Sequence, residues 1–92
     1  MSMSVGLMVR LLFTDLKGAL SAAQLVGGLE GVEVRAIYIG REKLEEMYEV
    51  LMEMSGDSVS VDSFLRSASS INGFVEATVE DLDAEVIWKG IG

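Results

Sequence analysis

Thr14, Asp15, Arg41, Asp62, Ser63 and Lys89 each follow or close an apolar run that reads as a strand. In an open α/β sheet such positions gather at the carboxyl ends of the strands, where ligands bind. Lys17 and Gly40 fall at the same edge. Carboxylates beside cations suit Mg²⁺ or a phosphate, so Thr14, Asp15, Arg41 and Lys89 form a candidate ligand edge. The simpler role for Thr14 or Asp15, and for Asp62, is to cap a helix, worth about 1 kcal/mol each. The chain contains no Cys and no His. That excludes disulfides, thiolate chemistry, haem and the usual zinc sites. Acid–base work would fall to carboxylates, Lys or Tyr, and no activated nucleophile or paired acid stands out. No catalytic residue, metal ligand or cofactor is therefore assigned. Asp15, Asp62 and Lys89 also sit roughly where a receiver domain keeps its acidic pocket, phosphoacceptor and lysine. The paired acids expected after the first strand are missing.

The balance of charge narrows the partners. Net charge is −8, with 7 Lys and Arg against 15 Asp and Glu, and the isoelectric point is about 4.3. The cations are scattered, so neither a nucleic acid nor an acidic membrane surface is an expected partner. The apolar run Val5–Phe13 contains Arg10 and is too short for a bilayer span or a signal peptide, which points to the cytoplasm. Half of the 92 residues are apolar, and mean hydropathy is +0.40. So small a domain hides only about 60–65% of its unfolded surface, so the apolar surplus favours an oligomer. Only one Asn and one Gln occur, a weak thermophilic signal.

The elements that must hold these residues read as alternating strands and helices in one domain, residues 1–92. Val5–Phe13 is apolar on both faces apart from Arg10, as in a central strand covered by helices on each side. Thr14 or Asp15 starts a helix with the stripe Leu16, Ala19, Leu20, Ala23 and Val26, ended by Gly27 and Gly28. Gly18 weakens its first turn by about 1 kcal/mol relative to Ala. Val32–Ile39 is a second strand, parallel to the first across a βαβ crossover. Arg41–Ser55 reads as a helix: Leu44, Met47, Tyr48, Leu51 and Met54 recur at i, i+3, i+4, i+7, Glu42, Glu45, Glu46, Glu49 and Glu53 lie outside that stripe, and Gly56 follows. Val59–Val61 alternates as a short third strand, and Asp62 caps a helix carrying Phe64, Leu65, Ala68 and Ile71.

The stretch from Gly73 to Gly90 supports two readings. Phe, Val and Thr favour a hairpin. The alternation upstream favours a helix over 73–82, on Phe74, Val75, Val79 and Leu82, followed by a strand over 84–89. The segment INGFVEATVEDLDAEVIW resembles the C-terminal signature of the DsrH/TusB branch of the DsrE-like sulfur-relay family, with Phe74, Val75, Val79, Glu80 and Trp88 at matching positions. VSVDSFLRSASSI resembles that family's strand-to-helix segment, and GVEVRAIYIG its second strand. The resemblance tips the choice to the helix. It implies a small, doubly wound, mainly parallel flavodoxin-like sheet with helices on both faces. It also implies assembly into homo-oligomers, or hetero-oligomers with Cys-bearing relatives. Active members carry a persulfide just after the third strand, for tRNA thiolation or sulfur oxidation. Here that segment reads Val61-Asp62-Ser63, and neither a carboxylate nor a hydroxyl can hold a persulfide. The resemblance thus implies a non-catalytic subunit or diverged relative. The alternative is a small ligand- or phosphate-binding, receiver-like domain.

Other features have plainer readings. Gly27–Gly31 (GGLEG) follows a helix and precedes a strand, the reverse of a phosphate loop, and reads as a turn. Met47 and Met54 read as core. Met52 is off the stripe and, with Ile87 and Trp88, is a candidate subunit contact. The acidic face of 41–55 reads as solvated, or as a docking site for a basic partner.

Overall fold

In the computed structural model, residues 5–81 and 86–91 are described. Seven elements follow one another: β1 (Val5–Phe13), α1 (Leu16–Gly27), β2 (Val32–Glu42), β3 (Met47–Gly56), α2 (Ser58–Ser69), β4 (Phe74–Asp81) and β5 (Val86–Ile91). The strands form a single sheet of order β2-β3-β1-β4-β5, and every neighbouring pair is antiparallel. β1 and β2 run the same way, with β3 between them. The first six elements thus make the split β-α-β arrangement of ferredoxin-like sheets, and β5 extends it beyond β4. The sheet is not doubly wound and not parallel, which corrects the expected fold class.

One core holds both helices against one face. Leu7, Val9, Leu11 and Phe13 of β1, Val50, Met52 and Met54 of β3, and Ala77 and Val79 of β4 meet Ala19, Ala22 and Val26 of α1 and Val61, Phe64, Leu65 and Ala68 of α2. Register makes this possible: Val9 lies opposite Met52 on one side and Val79 on the other. Phe13 and Phe74 close one end, edge to face, with ring centroids 5.9 Å apart. Among the described residues, no helix is long and apolar enough to cross a membrane.

Three elements differ from the sequence expectation, each for a physical reason. Residues 41–55 hold the end of β2, a turn and most of β3, not a helix. The expected stripe coexists with a strict alternation of Tyr48, Val50, Met52 and Met54, and tertiary burial of that row overrides the helix propensity of Glu, Leu and Met. The turn has no Gly or Asn to announce it. Glu46 takes the left-handed conformation instead, φ 55°. Val59–Val61 belongs to α2, where Val61, Phe64, Leu65 and Ala68 recur at i, i+3, i+4, i+7. Its cap is Asp57, whose Oδ1 accepts from Ser60 N at 2.8 Å and Oδ2 from Ser60 Oγ at 2.9 Å. Asp62 lies within the helix and is no cap. Residues 74–81 are strand β4, which replaces the expected 73–82 helix; Leu82 lies outside the described residues. The closing strand is present as β5, antiparallel to β4 at the sheet edge. α1 starts at the expected place, capped by Asp15, whose Oδ1 accepts from Gly18 N at 2.8 Å. Leu16 and Leu20 stay about half exposed, and Gly18 and Ala22 are buried in their stead.

Candidate functional site: the open face of the sheet

Side chains alternate across a strand, so the residues between the core positions point away from both helices. On β1 these are Met8, Arg10 and Leu12. On β3 they are Glu49, Leu51 and Glu53. On β4 they are Glu76, Thr78 and Glu80. The register sets them in three cross-strand rows: Glu53–Met8–Glu80, Leu51–Arg10–Thr78 and Glu49–Leu12–Glu76. On β2, Glu33, Ala36, Tyr38, Gly40 and Glu42 continue the face. A bulge between Val34 and Ala36 shifts the register there. Gly40 leaves the space that the Tyr38 ring occupies: a Cβ at Gly40 would meet that ring.

This face has an apolar middle and acidic flanks. Leu12 is only 2% exposed yet is not part of the core beneath the helices; its neighbours in the row are Glu49 and Glu76. Met8 and Leu51 are half-buried, and Tyr38 is 58% exposed. Arg10 Nε donates to Glu49 Oε2 in an ion pair. That bond raises the guanidinium pKa above its ordinary value; burial works against it, and the fields of Glu49, Glu76 and Glu42 add to it. Met8, Arg10, Leu51, Thr78 and Glu80 line a shallow concavity of about 220 Å³. Among the described residues, no group of three or more acidic side chains is arranged to hold a metal ion. Such an arrangement can recognise shape and charge.

The ligand edge expected from sequence assembles in part. β1 and β2 end on the same side of the sheet: Phe13 lies opposite Tyr48, and Tyr48 opposite Arg41. Thr14, Asp15 and Arg41 therefore share one end of the molecule. β3 separates the strands that carry them, a span of about 9–10 Å across two strand spacings. Asp15 is engaged as the helix cap, and Thr14 N donates to Gly73 O at 2.8 Å. Gly73 turns the chain into β4 with φ +92°, where a side chain would be strained. Asp15, Lys17, Gly18, Ser21, Ile71 and Asn72 line a shallow cleft there, about 380 Å³. Asp62 and Ser63 are not at that edge. They lie in α2, where Asp62 Oδ2 takes an exposed ion pair from Arg66 Nε at 2.9 Å. Lys89 pairs with Thr78 in the register, mid-strand rather than at the end. The side chains of Ile87, Trp88 and Lys89 lie outside the described residues. Met52 is 0% exposed in the helix-covered core, so it is not a surface contact: as an even-numbered residue of β3 it points at the helices.

Glu49 and Glu53 belong to the acidic face of 41–55 that the sequence offered as a docking site for a basic partner, whereas Arg10, Glu76 and Glu80 were not singled out as a site. The signal was present as a period of two, Glu49-Leu51-Glu53 and Glu76-Thr78-Glu80, together with the one charge in the first strand. It becomes legible once those segments are known to be strands. No protein-family model, curated protein or solved structure matches the chain.

Proposed function

We propose that this chain is a non-catalytic docking domain that presents the open face of its sheet to another macromolecule. The carrying observation is that the two helices cover one face only, while the other keeps Met8, Leu12, Leu51 and Tyr38 between glutamates. A sheet face with an apolar middle and a charged margin has the anatomy of an interface. The absence of Cys and His from the sequence supports a role without bond-making. The sulfur-relay role rested on the resemblance of three segments; the parallel, doubly wound sheet that the resemblance implied is not the fold observed, and the docking reading does not draw on it.

The test is a photo-crosslinking amino acid placed at Leu51 on the open face, or at the exposed Val59 on α2, in the protein expressed in cells. Discrete crosslinked species from position 51 and none from position 59 support the reading. Crosslinks from position 59 alone, or none from either, overturn it.

A further inference from the structure

We infer that the occupant of the open face is a basic polypeptide segment, with cationic and apolar side chains in alternation, and not a second copy of this chain. The inference rests on the docking reading above and adds the chemistry of the partner. Among the described residues, the face carries Glu33, Glu42, Glu49, Glu53, Glu76 and Glu80 against Arg10 and, at the β2 bulge between Val34 and Ala36, Arg35. Lys89, opposite Thr78 in the register, leaves the balance acidic whichever way it is counted. Arg10 is already engaged by Glu49 and lies in the fields of Glu76 and Glu42.

Self-pairing meets a charge obstacle. Two sheets packed face to face sit about 10 Å apart, close to the screening length of about 8 Å at physiological salt. Doubling the glutamates in such a layer doubles the surplus of carboxylates over cations where water is excluded, which is costly. A basic partner removes that cost and gains from complementarity. The apolar residues decide between a polypeptide and a bare cation. In the rows Glu53–Met8–Glu80 and Glu49–Leu12–Glu76, an apolar side chain sits between two carboxylates. A metal ion or polyamine would leave the half-buried Met8 and Leu51 uncovered. An extended segment places alternate side chains about 7 Å apart, so apolar groups can lie over the middle while lysines or arginines reach the flanks.

The experiment is an NMR titration of the intact chain with three capped heptapeptides. One alternates lysine with leucine, one glutamate with leucine, and one lysine with glycine. The proposal expects the lysine–leucine peptide to shift the resonances of Met8, Leu51 and Thr78 and to bind several-fold tighter than either other peptide. It expects the double variant Glu53→Gln/Glu80→Gln to weaken that binding several-fold. The charge-matched double variant Glu30→Gln/Asp62→Asn, away from the face, should leave it unchanged. Equal weakening by both doubles, or equal binding of the glutamate or lysine–glycine peptide, overturns the inference. So does a concentration-dependent dimer that shifts the same open-face resonances without peptide, although the docking reading then survives. An open face that responds neither to peptide nor to protein concentration overturns both.

Discussion

Gly18 occupies the third residue of α1, where alanine would be the better helix former by about 1 kcal/mol. The packing argues the other way. A Cβ there would stand 2.7 Å from Phe13 Cδ1 and 3.0 Å from the Asn72 carbonyl oxygen. Phe13 is fully buried and locked edge to face on Phe74, so its ring cannot turn aside. Gly18→Ala must therefore push α1 off the sheet or displace the turn before β4. Overpacking of this kind costs about 1–3 kcal/mol. Less the propensity gain, the expected net loss is about 1 kcal/mol. At about 4–8 °C per kcal/mol for a domain of this size, the melting temperature should fall by roughly 5 °C. Gly27 is the control, since a Cβ there would meet nothing within 4 Å. Gly27→Ala should stabilise by about 0.4–1 kcal/mol, through the unfolded chain. Thermal and urea unfolding followed by circular dichroism measure both variants. In a Phe13→Leu background the Gly18→Ala penalty should shrink, with a coupling above about 0.5 kcal/mol. A Gly18→Ala protein that melts at or above the parent would refute the close-packing argument.

Further outcomes follow from the same structure. Leu11→Ala, at a fully buried position, should cost about 2–5 kcal/mol. Leu51→Ala, half-buried on the open face, should cost roughly 1 kcal/mol; equal losses in urea unfolding would contradict the assigned faces. The hydrogen bonds from Ser60 N and Oγ hold the Asp57 carboxyl below its ordinary value of 3.8. A lowered folded-state pKa gives stability that is present above the unfolded value and lost as pH falls through the folded one. Acid unfolding should accordingly be shallower below about pH 4 in Asp57→Asn than in the parent, and identical slopes would remove Asp57 from the argument. Arg10→Gln should destabilise more at about 0.02 M salt than at about 1 M, because screening reaches the partly exposed glutamates around it; a loss independent of salt would mean that Arg10 acts by packing. Backbone chemical shifts should show strand over residues 47–56 and 74–81, with cross-strand contacts from Val9 to both Met52 and Val79; helical shifts over 47–54 would overturn the fold.

Some of this was legible from local chemistry. The first strand, the Asp15 cap and the helix after it, and the start of the second strand depend on short-range signals: an apolar run, a capping carboxylate and paired glycines. Those signals act within a few residues, so the sequence alone carries them. The absence of Cys and His and the surplus of acid are likewise matters of composition, and they bound the chemistry in any fold. What local reading could not decide was the state of residues 41–56, 57–61 and 73–82. In 41–56 and 73–82 one pattern of apolar residues satisfies both a period of 3.6 and a period of 2, while in 57–61 the alternating Val59 and Val61 mask a helix start capped by Asp57. Met47 and Leu51 complete a helical stripe with Tyr48 and Met54, yet in the sheet they lie on the opposite face from those two. The choice falls to non-local pairing: β3 becomes a strand because β1 lies along one side and β2 along the other, and β4 because β1 offers it a second edge. The candidate site inherits the same dependence. Glu49, Glu53, Glu76 and Glu80 surround Arg10 only when three strands distant in sequence are laid side by side, and only tertiary structure does that.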